Sequence, residues 1–343
     1  MAKTSNASKL NNKITLAHGS GGRLTHELIK NIFAKYFKNK VLSRFDDAAV
    51  LGTYNKNIVF TTDAFVVNPL FFPGGDIGRL CVCGTVNDLS VMGATPIAIT
   101  IAAIIEEGLG FDVLDRVAKS IALAAKEANV LIVGGDTKVV ERGKGDKLFI
   151  TTSGVGVLNA NAKFSGSNAK HGDKVLINGN IGDHEVAIIG ARNEFGFITN
   201  VKSDAAPLNG LISKTLPFAG KINVMRDPTR GGLATTLNEI ASASNVGIII
   251  EEKQIPVSKQ TKSVCEMLGL DPLYLANEGK VIVIAQESVS GKIQKAMATH
   301  KYGRNTKTIG TVVNSPKGVW LKTVNGGLRP LVMLEGEQLP RIC

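Results

Sequence analysis

Two short segments of the sequence combine glycines, carboxylates and cations in a way that suits phosphate binding. The first, GGDTK at positions 134–138, offers a flexible turn, a carboxylate, a hydroxyl and a cation within five residues. Backbone amides beside glycines can approach a phosphate closely, and a lysine neutralises its charge. The residues of this segment are Gly134, Gly135, Asp136, Thr137 and Lys138.

The second segment, RDPTRGG, repeats the theme. Arg226, Asp227 and Arg230 precede two glycines that open a predicted helix, and the amino end of a helix favours an anion. The sequence contains neither GxxxxGK[ST] nor a GxGxxG that opens a helix after a strand. A P-loop and a dinucleotide-binding fingerprint are therefore excluded.

Further carboxylates stand next to predicted strands and within a predicted helix. Asp46 and Asp47 precede an apolar run in RFDDAAVL, and Asp63 closes the strand VFTTD. In IGRLCVCGTVNDLSVMG a helical period puts Asp88 on an apolar face. An unpaired buried charge costs several kcal/mol, so Asp88 requires a cation, a hydrogen-bonding partner or a water-lined cleft.

The structural alternative for Asp88 is a salt bridge to Arg79 or Arg44. Each aspartate taken alone is more often structural than functional. Together with the two phosphate-binding segments, however, the aspartates predict a site in which carboxylates hold Mg²⁺ and the metal holds phosphates. Mg²⁺ prefers hard oxygen ligands and readily bridges carboxylates to nucleotide phosphate.

The cysteines separate into one candidate for chemistry and three structural residues. Cys343 is the last residue of the sequence, after Pro340 and Arg341, and we expect its thiol to be mobile and reachable. Cys81 and Cys83 form a lone CVC, which is a weak zinc signal and more typical of packed residues. Four cysteines do not make a disulfide framework in a chain of 343 residues, and a thiol that must stay reduced indicates the cytoplasm. Cys265, at helical spacing in SVCEMLGL, is predicted to be a core residue.

Composition limits the classes of protein that remain. The sequence is 44% hydrophobic and 20% charged, which suits a globular protein of about two domains. No apolar run reaches the roughly 18 residues of a membrane span. The net charge of +11 comes from scattered cations with few aromatic residues, a pattern more typical of a solvated basic surface than of a nucleic-acid site.

Strands alternate with helices along the chain, which predicts an α/β fold of two α/β layers. The predicted divisions are a disordered leader (1–17), an N-terminal domain (18–160), a linker (161–172), a C-terminal α/β domain (173–331) and a mobile tail (332–343). The segment ERGKGDK is predicted to form a hairpin turn between VLIVGGD and LFITTSGVGVL. His184 belongs to no motif and is interpreted as a surface or satisfied residue.

Several of these motifs together resemble one family of hydrogenase maturation proteins, HypE. HypE belongs to the ATP-using superfamily of aminoimidazole ribonucleotide synthetase and selenide water dikinase. The resemblance spans nearly the whole chain, from His18 to Cys343. The aspartate motifs are shared across the superfamily, whereas the terminal PRIC, joined to GGDTKVV, is specific to HypE. The segments that carry the resemblance are HGSGG, DDAAVL, TTDAFVVNPLFFPGGDIG, GTVNDLSVMGATP, GGDTKVV, MRDPTRGGLATTLNEIA, ANEGK and PRIC.

The resemblance implies a fold and a reaction. The fold is an aminoimidazole ribonucleotide synthetase-like one, with an N-terminal domain whose strands pair with a second copy in a homodimer and a C-terminal domain that covers the ATP cleft. The terminal cysteine receives a carbamoyl group from the carbamoyltransferase HypF, and ATP is used to dehydrate this S-carboxamide to a thiocyanate. The cyanide then passes to iron on the HypC–HypD complex and becomes a ligand in [NiFe]-hydrogenase.

The resemblance also implies roles for particular residues. Cys343 would carry the cargo, and Lys138 and Glu278 are the candidates for the base that removes amide protons. For Glu278 the alternative is a helix cap or a salt bridge. The implied magnesium ligands are Asp47, Asp63, Asp88 and Asp227. The implied nucleotide contacts are Gly134, Gly135, Asp136 and Thr137. Asp46, Arg226 and Arg230 are predicted to bind the nucleotide as well.

Two other interpretations remain open from the sequence. One is another phosphotransferase of the superfamily, making selenophosphate or an imidazole ribonucleotide without using Cys343. The other is a non-enzymatic scaffold whose thiol binds iron or forms a mixed disulfide.

Overall fold

The computed structural model describes residues 22–28, 30–31, 44–52, 56–193, 196–334 and 339–343. The predicted leader, residues 1–17, lies outside these ranges. The strands are β1 (Ala49–Gly52), β2 (Asn57–Phe65), β3 (Phe71–Phe72), β4 (Gly75–Asp76), β5 (Ala94–Glu106), β6 (Leu131–Val140), β7 (Leu148–Leu158), β8 (Lys174–Ile177), β9 (Ile222–Arg226), β10 (Gly247–Glu251), β11 (Ile282–Ala285), β12 (Lys307–Val313), β13 (Gly318–Lys322) and β14 (Leu328–Leu331). The α-helices are α1 (Arg23–Leu28), α2 (Ile77–Val91), α3 (Phe111–Ala128), α4 (Asp183–Arg192), α5 (Asn209–Ser213), α6 (Gly232–Ala243), α7 (Lys259–Leu268) and α8 (Glu287–Ala298).

The first sheet has the strand order β1-β2-β7-β5-β6. All of its pairs are antiparallel except β5 with β6, which are parallel. Parallel neighbours need a long crossover, and helix α3 supplies it. Along β2 the residues alternate between two faces, so that Val59, Thr61 and Phe65 are buried on the inner face while Phe60 is exposed.

Helix α2 packs on this inner face and is buried on almost every side. Asp76 caps its amino end by accepting hydrogen bonds from the amides of Gly78 and Arg79 at 2.8 and 3.1 Å. A side-chain acceptor at this position satisfies amides that the helix itself leaves open. The helix predicted around Asp88 is therefore confirmed.

The second sheet has seven strands in the order β14-β13-β10-β12-β8-β11-β9. Its two faces belong to different hydrophobic clusters: Val175 and Ile177 of β8 lie in the cluster that includes α6, and Leu176 lies in the one that includes α8. A sheet covered on both faces needs apolar residues on both, which explains the uninterrupted run KVLI. The mixed α/β class predicted for the chain is confirmed.

The connection between β6 and β7 differs from the prediction. ERGKGDK does join these strands, but β5 lies between them in the sheet, so they do not form a hairpin. Glu106 at the end of β5 accepts hydrogen bonds from the amides of Gly143 and Lys147 at 2.5 and 2.9 Å. The connecting segment therefore passes over the end of the middle strand.

The two halves of the chain meet at an ion-pair network centred on Glu127 of α3. Its carboxylate lies 2.9 Å from Arg79 of α2 and 2.7 Å from Lys301 of the second half, and Tyr302 donates to the same group. Burial alone would raise the pKa of Glu127, but the hydrogen bonds from Lys301, Tyr302 and Arg79 lower it to about 2. The carboxylate is therefore charged at all ordinary pH values.

We expect Glu127→Gln to destabilise the protein by on the order of 1 kcal/mol at neutral pH, because the network loses its only anion among these four residues. A carboxyl whose pKa is lower in the folded chain stabilises it above the unfolded pKa near 4.5, and this contribution disappears as the pH falls towards 2. Denaturant unfolding at pH 7 and pH 4 should show the difference between variant and parent shrinking at the lower pH. Glu266→Gln, in an exposed pair with Lys262 at 3.8 Å, is the control; an equal loss there would contradict the assignment.

The last five residues do not extend into solvent in this structure. Leu339, Ile342 and Cys343 are buried in the same hydrophobic cluster as Phe65 and Phe72. This corrects the expectation of an exposed thiol, because the main chain of the tail is bonded to the segment that follows β2. The mobility of the tail stays a prediction.

Candidate active site

The structure brings together five acidic side chains from separate parts of the chain. Asp47 precedes β1, and Asp63 lies on β2 with its side chain on the inner face of the first sheet. Asp88 belongs to α2, Asp227 follows β9, and Glu278 lies in the loop before β11. Burial, followed by the charges of Asp63, Asp227 and Asp47, raises the pKa of Asp88 well above its usual value. These carboxyl groups are therefore close enough to repel one another.

The same electrostatics extends across the cluster. Burial raises the pKa of Asp47 to about 8 despite the charge of Arg226, and raises that of Asp227 to about 6. Burial also raises the pKa of Asp63, which Arg230 opposes. Like charges held together out of water favour the protonated form. A bound cation would reverse this preference.

Asp88 is held by a hydroxyl group and not by an arginine. Thr61 donates to its carboxylate at 2.9 Å. Within the ranges that the structure covers, no ion pair involves Asp88, and Arg79 bonds instead to Glu127 and to the carbonyl of Ala205. The salt-bridge alternative is therefore wrong for both candidates: Arg79 lies in the first turn of α2 and Asp88 in the last, and no ion pair joins Arg44 to Asp88 among the described residues.

The oxygen donors of the clustered carboxylates suit Mg²⁺. All the clustered side chains offer carboxylate oxygens, and Oδ2 of Asp47 is buried, with the guanidinium of Arg226 as its ion-pair partner. No three acidic, histidine or cysteine side chains among the described residues are arranged as a ready-made metal site. Mg²⁺ in nucleotide sites usually binds one or two carboxylates together with phosphate oxygens, so a preformed cage is not required.

Arg226 organises the cluster from one side. Its Nε lies 2.7 Å from Oδ2 of Asp47 and its Nη2 lies 2.9 Å from Oε2 of Glu239. His26 also contacts Glu239, at 2.8 Å. The RDPTRGG segment predicted that Arg226 binds phosphate, whereas in the structure it is paired with Asp47 and Glu239. Sequence analysis did not identify Glu239 as a residue of the site.

A cavity of about 1000 Å³ opens beside the cluster. It is lined by both sequence-predicted residues and others, among them Asp46, Asp47, Thr61, Arg226, Asp227, Thr229, Arg230 and Glu239. Its size is at the upper end for small-molecule pockets and accommodates a nucleotide. Asp46 lines the cavity, but its carboxylate accepts hydrogen bonds from the hydroxyl of Ser165 and the amide of Gly166. These bonds join the residues before β1 to the segment between β7 and β8.

The GGDTK segment lies elsewhere in the same protomer. Asp136 is on β6 opposite Ala102, which is opposite Thr151, which is opposite Ala64 of β2. Three strand spacings of about 4.8 Å put it about 14 Å from β2. Its register partners face away from α2, so Asp136 and the inner aspartates lie on opposite faces of the sheet.

The residues of GGDTK are exposed, and the packing of β5 against β6 accounts for one of its glycines. Lys138 pairs with Asp136 at 3.0 Å, and this lowers the pKa of Asp136. A Cβ at Gly135 would stand 2.1 Å from the carbonyl oxygen of Ile101, so glycine is required here for the approach of β5 to β6. One protomer alone does not bring this segment to the aspartate cluster.

The loop that carries Glu278 is fixed by several buried hydrogen bonds. Asp204 accepts from the amide of Glu278 at 3.0 Å and pairs with Lys280 at 2.6 Å. On helix α4, Glu185 accepts from the amide of Ala276 at 2.8 Å. Asn87, next to Asp88, bonds through its amide to the carbonyls of Ala206 and Glu278 at 3.1 and 3.4 Å.

The carboxyl group of Glu278 is not used for structure. It caps no helix and joins no ion pair in the described part of the chain, in contrast to the structural alternative. Burial and the charges of Asp204, Asp227 and Asp63 raise its pKa well above the usual value, and Arg230 opposes this. Glu278 therefore faces the same charged region as the four aspartates.

Cys343 is bonded to the part of the chain that continues β2. The amide of Val66 donates to the main-chain oxygen of Cys343 at 3.0 Å. Val66 is three residues beyond Asp63, which is about 10 Å of extended chain. The strand that supplies one of the clustered carboxylates thus also leads to the cysteine.

Two models of known protein domains match this chain. The model of the AIR synthase related protein N-terminal domain matches residues 45–158, and that of the C-terminal domain matches residues 170–321. The chain thus belongs to the AIR synthase related proteins and has both of their domains.

Individual relatives narrow the class to one family. A carbamoyl dehydratase HypE from Cupriavidus necator is 47% identical over 333 residues, 96% of this chain and 95% of that protein. HypE in a HypE–HypF crystal structure is 50% identical with a TM-score of 0.86, covering 90% of this chain and 99% of that one. HypE crystallised with ATP is 45% identical with a TM-score of 0.81, covering 96% and 100%. The chain therefore belongs to the HypE family of hydrogenase maturation proteins.

One further property concerns membranes. Among the residues placed by the structure, no helix combines the length and the apolar character that crossing a bilayer requires.

Proposed function

We propose that this chain is an ATP-dependent carbamoyl dehydratase, which converts a carbamoyl group on the sulfur of Cys343 into a thiocyanate. The observation that carries the proposal is the position of Cys343, bonded to the continuation of the strand that holds Asp63. The relative from Cupriavidus necator is a carbamoyl dehydratase, and another HypE has been crystallised with ATP. The cavity of about 1000 Å³ beside the acids has room for that nucleotide.

The reaction must remove an oxygen that is a very poor leaving group. The carboxamide oxygen attacks the γ-phosphorus of ATP as the nitrogen gives up its first proton, and ADP departs. The C–O bond then breaks to release phosphate as the nitrogen loses its remaining proton, leaving S–C≡N. The balance is S–C(O)NH₂ plus ATP giving S–CN, ADP, phosphate and one H⁺. Such phosphoryl transfers depend mainly on positioning and charge neutralisation.

The side chains of the site have separate tasks in this scheme. Arg230, which lines the cavity, would neutralise phosphate charge. Glu278, whose loop is fixed by Asp204 and Glu185, would accept an amide proton. A base must be held within reach of the proton that it removes, and among the residues that the structure describes, Glu278 has no ion pair that would compete for its carboxylate. Lys138 remains a second candidate for that role.

We assign Mg²⁺ binding to Asp47, Asp63, Asp88 and Asp227. Their burial and mutual repulsion, which raise the pKa values of Asp47, Asp63, Asp88 and Asp227, support a cation here. When bound, Mg²⁺ would supply charge neutralisation for the triphosphate.

We also propose a homodimer formed through the first sheet. This sheet and its β6 edge expose large apolar side chains, and exposed apolar surface of this extent marks an interface. These side chains are Phe60, Ile97, Ile104, Leu131, Val133 and Val139. Asp136 and Lys138 lie on the same edge, so nucleotide contacts from Gly134, Gly135, Asp136 and Thr137 would be made across that interface.

The proposed partners follow from the same chemistry. HypF as the carbamoyl donor is supported by the crystal structure of a HypE–HypF complex. The HypC–HypD complex would accept the cyanide. Because the free thiol must remain reduced, we place the reaction in the cytoplasm.

Mass spectrometry of the peptide that ends at Cys343 tests the function. After incubation with the carbamoyl donor system, this peptide should gain one carbamoyl group, and it should lose one water only when ATP is added. Glu278→Gln should keep the first change and slow the second at least about a hundredfold, because a base contributes 10²–10⁴-fold to such a step.

Other outcomes of that experiment favour the two alternative functions. ATP turnover with no change at Cys343 would indicate another phosphotransferase. Carbamoylation without any ATP-dependent loss of water would indicate a scaffold. A normal rate of water loss in Glu278→Gln would transfer the role of base to another residue.

A further inference from the structure

Residues 339–343 occupy a groove that is made by both halves of the chain. On one side, Val66 and Asn68 donate their amides to the main-chain oxygens of Cys343 and Arg341, at 3.0 and 3.1 Å. The bonded residues are two apart in each segment and run in opposite directions, as in an antiparallel β-ladder. The tail therefore runs antiparallel to the segment that follows β2 and is bonded to it at two main-chain positions.

Helix α4 forms the other side of the groove and also bonds to the main chain. Arg192, the last residue of the helix, donates from Nη2 to the carbonyls of Pro340 and Arg341 and from Nε to that of Asn68 at 2.8 Å. One guanidinium thus joins the tail to the segment after β2. Its planar set of donors suits several acceptors at once.

His184 holds the next carbonyl. Its Nε2 lies 2.7 Å from the main-chain oxygen of Ile342, and its Nδ1 lies 2.8 Å from Oγ of Ser203. Because a carbonyl only accepts, Nε2 must carry the proton, and Ser203 can then donate to Nδ1. The fully buried ring is also packed against the edge of Phe72, with ring centroids 5.6 Å apart.

Arg341 completes the contacts from the tail itself. It donates from Nε to the carbonyl of Val66 at 2.9 Å, pairs with Asp146, and lies over the ring of Phe149. Its own φ is 57°, in the left-handed region that a residue with a side chain seldom adopts. Such a conformation persists only where the surroundings fix it.

From these contacts we infer that the groove is a binding site for the main chain of residues 340–343, with His184 and Arg192 as positioning residues for the Cys343 sulfur. The inference rests on the proposed function, since it gives the groove its purpose. It assigns the orientation of the cargo to α4, the helix that also fixes the Glu278 loop through Glu185. Thiol and proposed base are therefore positioned by one rigid element.

The test measures how fast iodoacetamide alkylates Cys343 in the full-length protein. A glutamate-specific protease releases residues 338–343, so that mass spectrometry reports this cysteine alone. Arg192→Ala should raise the rate at least about tenfold, because two hydrogen bonds to the tail and one to Asn68 on the facing wall of the groove are lost. His184→Ala should also raise it, whereas His184→Gln, which keeps a donor, should restore most of the protection.

Two internal controls separate positioning from unfolding. Arg116→Ala removes an exposed arginine that lies over Phe71 and does not bond to the tail, so the rate should not change. Cys265, 2% exposed in another cluster, should stay protected in every variant. The inference is overturned if Cys343 in the unmodified protein reacts as fast as a synthetic QLPRIC peptide, or if Arg192→Ala leaves the rate unchanged.

A second measurement connects the groove to the reaction. With Cys343 already carbamoylated, Arg192→Ala should slow the ATP-dependent loss of water at least about tenfold in a single turnover, while the dissociation constant for ATP stays unchanged. If the unmodified protein never loses water, the proposed function fails but the alkylation result still decides the groove. If Cys343 is alkylated faster in Arg192→Ala but its carbamoyl group loses water at the normal rate, the positioning role of Arg192 is wrong.

Discussion

Cys343→Ala is expected to abolish both the carbamoyl gain and the ATP-dependent loss of water while leaving ATP affinity unchanged. The substitution removes only the sulfur. The hydrogen bond that Val66 makes to residue 343 goes to a main-chain oxygen, so the tail can still occupy its groove. Nucleotide binding is assigned to residues outside the tail. Intact-mass measurement and calorimetry check the two halves of this prediction.

The control for this variant is Cys265→Ala. Cys265 is equally small and buried, but it packs with Val264 and Leu275 in a different cluster, so both mass changes should persist. Loss of ATP binding in Cys343→Ala would contradict the separation of cargo site and nucleotide site. Residual carbamoylation in that variant would show that a different residue carries the group.

Asp88→Asn is expected to weaken Mg²⁺-ATP binding at least about tenfold, which corresponds to about 1.4 kcal/mol. The amide keeps an oxygen for the Thr61 hydroxyl, which donates to Asp88 at 2.9 Å, so the local fold is retained. What is lost is a negative charge in the group that we assign to Mg²⁺. Isothermal titration with and without Mg²⁺ measures the effect.

The same substitution should raise the stability of the ligand-free protein at pH 7. Burial and neighbouring carboxylates raise the pKa of Asp88 in the folded chain, and a carboxyl with a raised pKa destabilises the fold above its unfolded pKa. Thermal unfolding checks this. Asp115→Asn, exposed on α3, is the matched control. Unchanged affinity in Asp88→Asn would mean that Asp88 is a structural residue.

Local patterns in the sequence were sufficient for the elements that carry the site. The helical period around Asp88 and the strand VFTTD correctly predicted the helix that carries Asp88 and the strand that carries Asp63, because a helix and a strand each have one dominant side-chain period. Such patterns depend on neighbours in sequence and need no knowledge of the rest of the fold.

Contacts between distant segments were not accessible in this way. His184 carried no motif, yet it bonds to Ile342, 158 positions away. Asp204 in VKSDAAP gave no signal either, although it fixes the amide of Glu278. Their importance arises from where α4 and its following segment pack, which no local period encodes. The nearest available signal was for Asn87, which adjoins Asp88 in the same motif.

The GGDTK segment shows how one pattern can have two causes. Its glycines and lysine predicted a phosphate site, but Gly135 is also required because β5 passes within 2.1 Å of a Cβ position. Sequence spacing could not show that Asp136 and Asp63 occupy opposite faces of one sheet. That separation follows from the register of four strands.

The bonding of the tail through main-chain oxygens has a thermodynamic consequence. Those oxygens are the same atoms whether the sulfur bears hydrogen, a carboxamide or a nitrile, so these hydrogen bonds give no preference for substrate over product. Release of the finished nitrile therefore cannot be driven by weaker bonding of residues 340–343. The irreversibility of the cycle must come from ATP cleavage and from the acceptor that removes the cyanide.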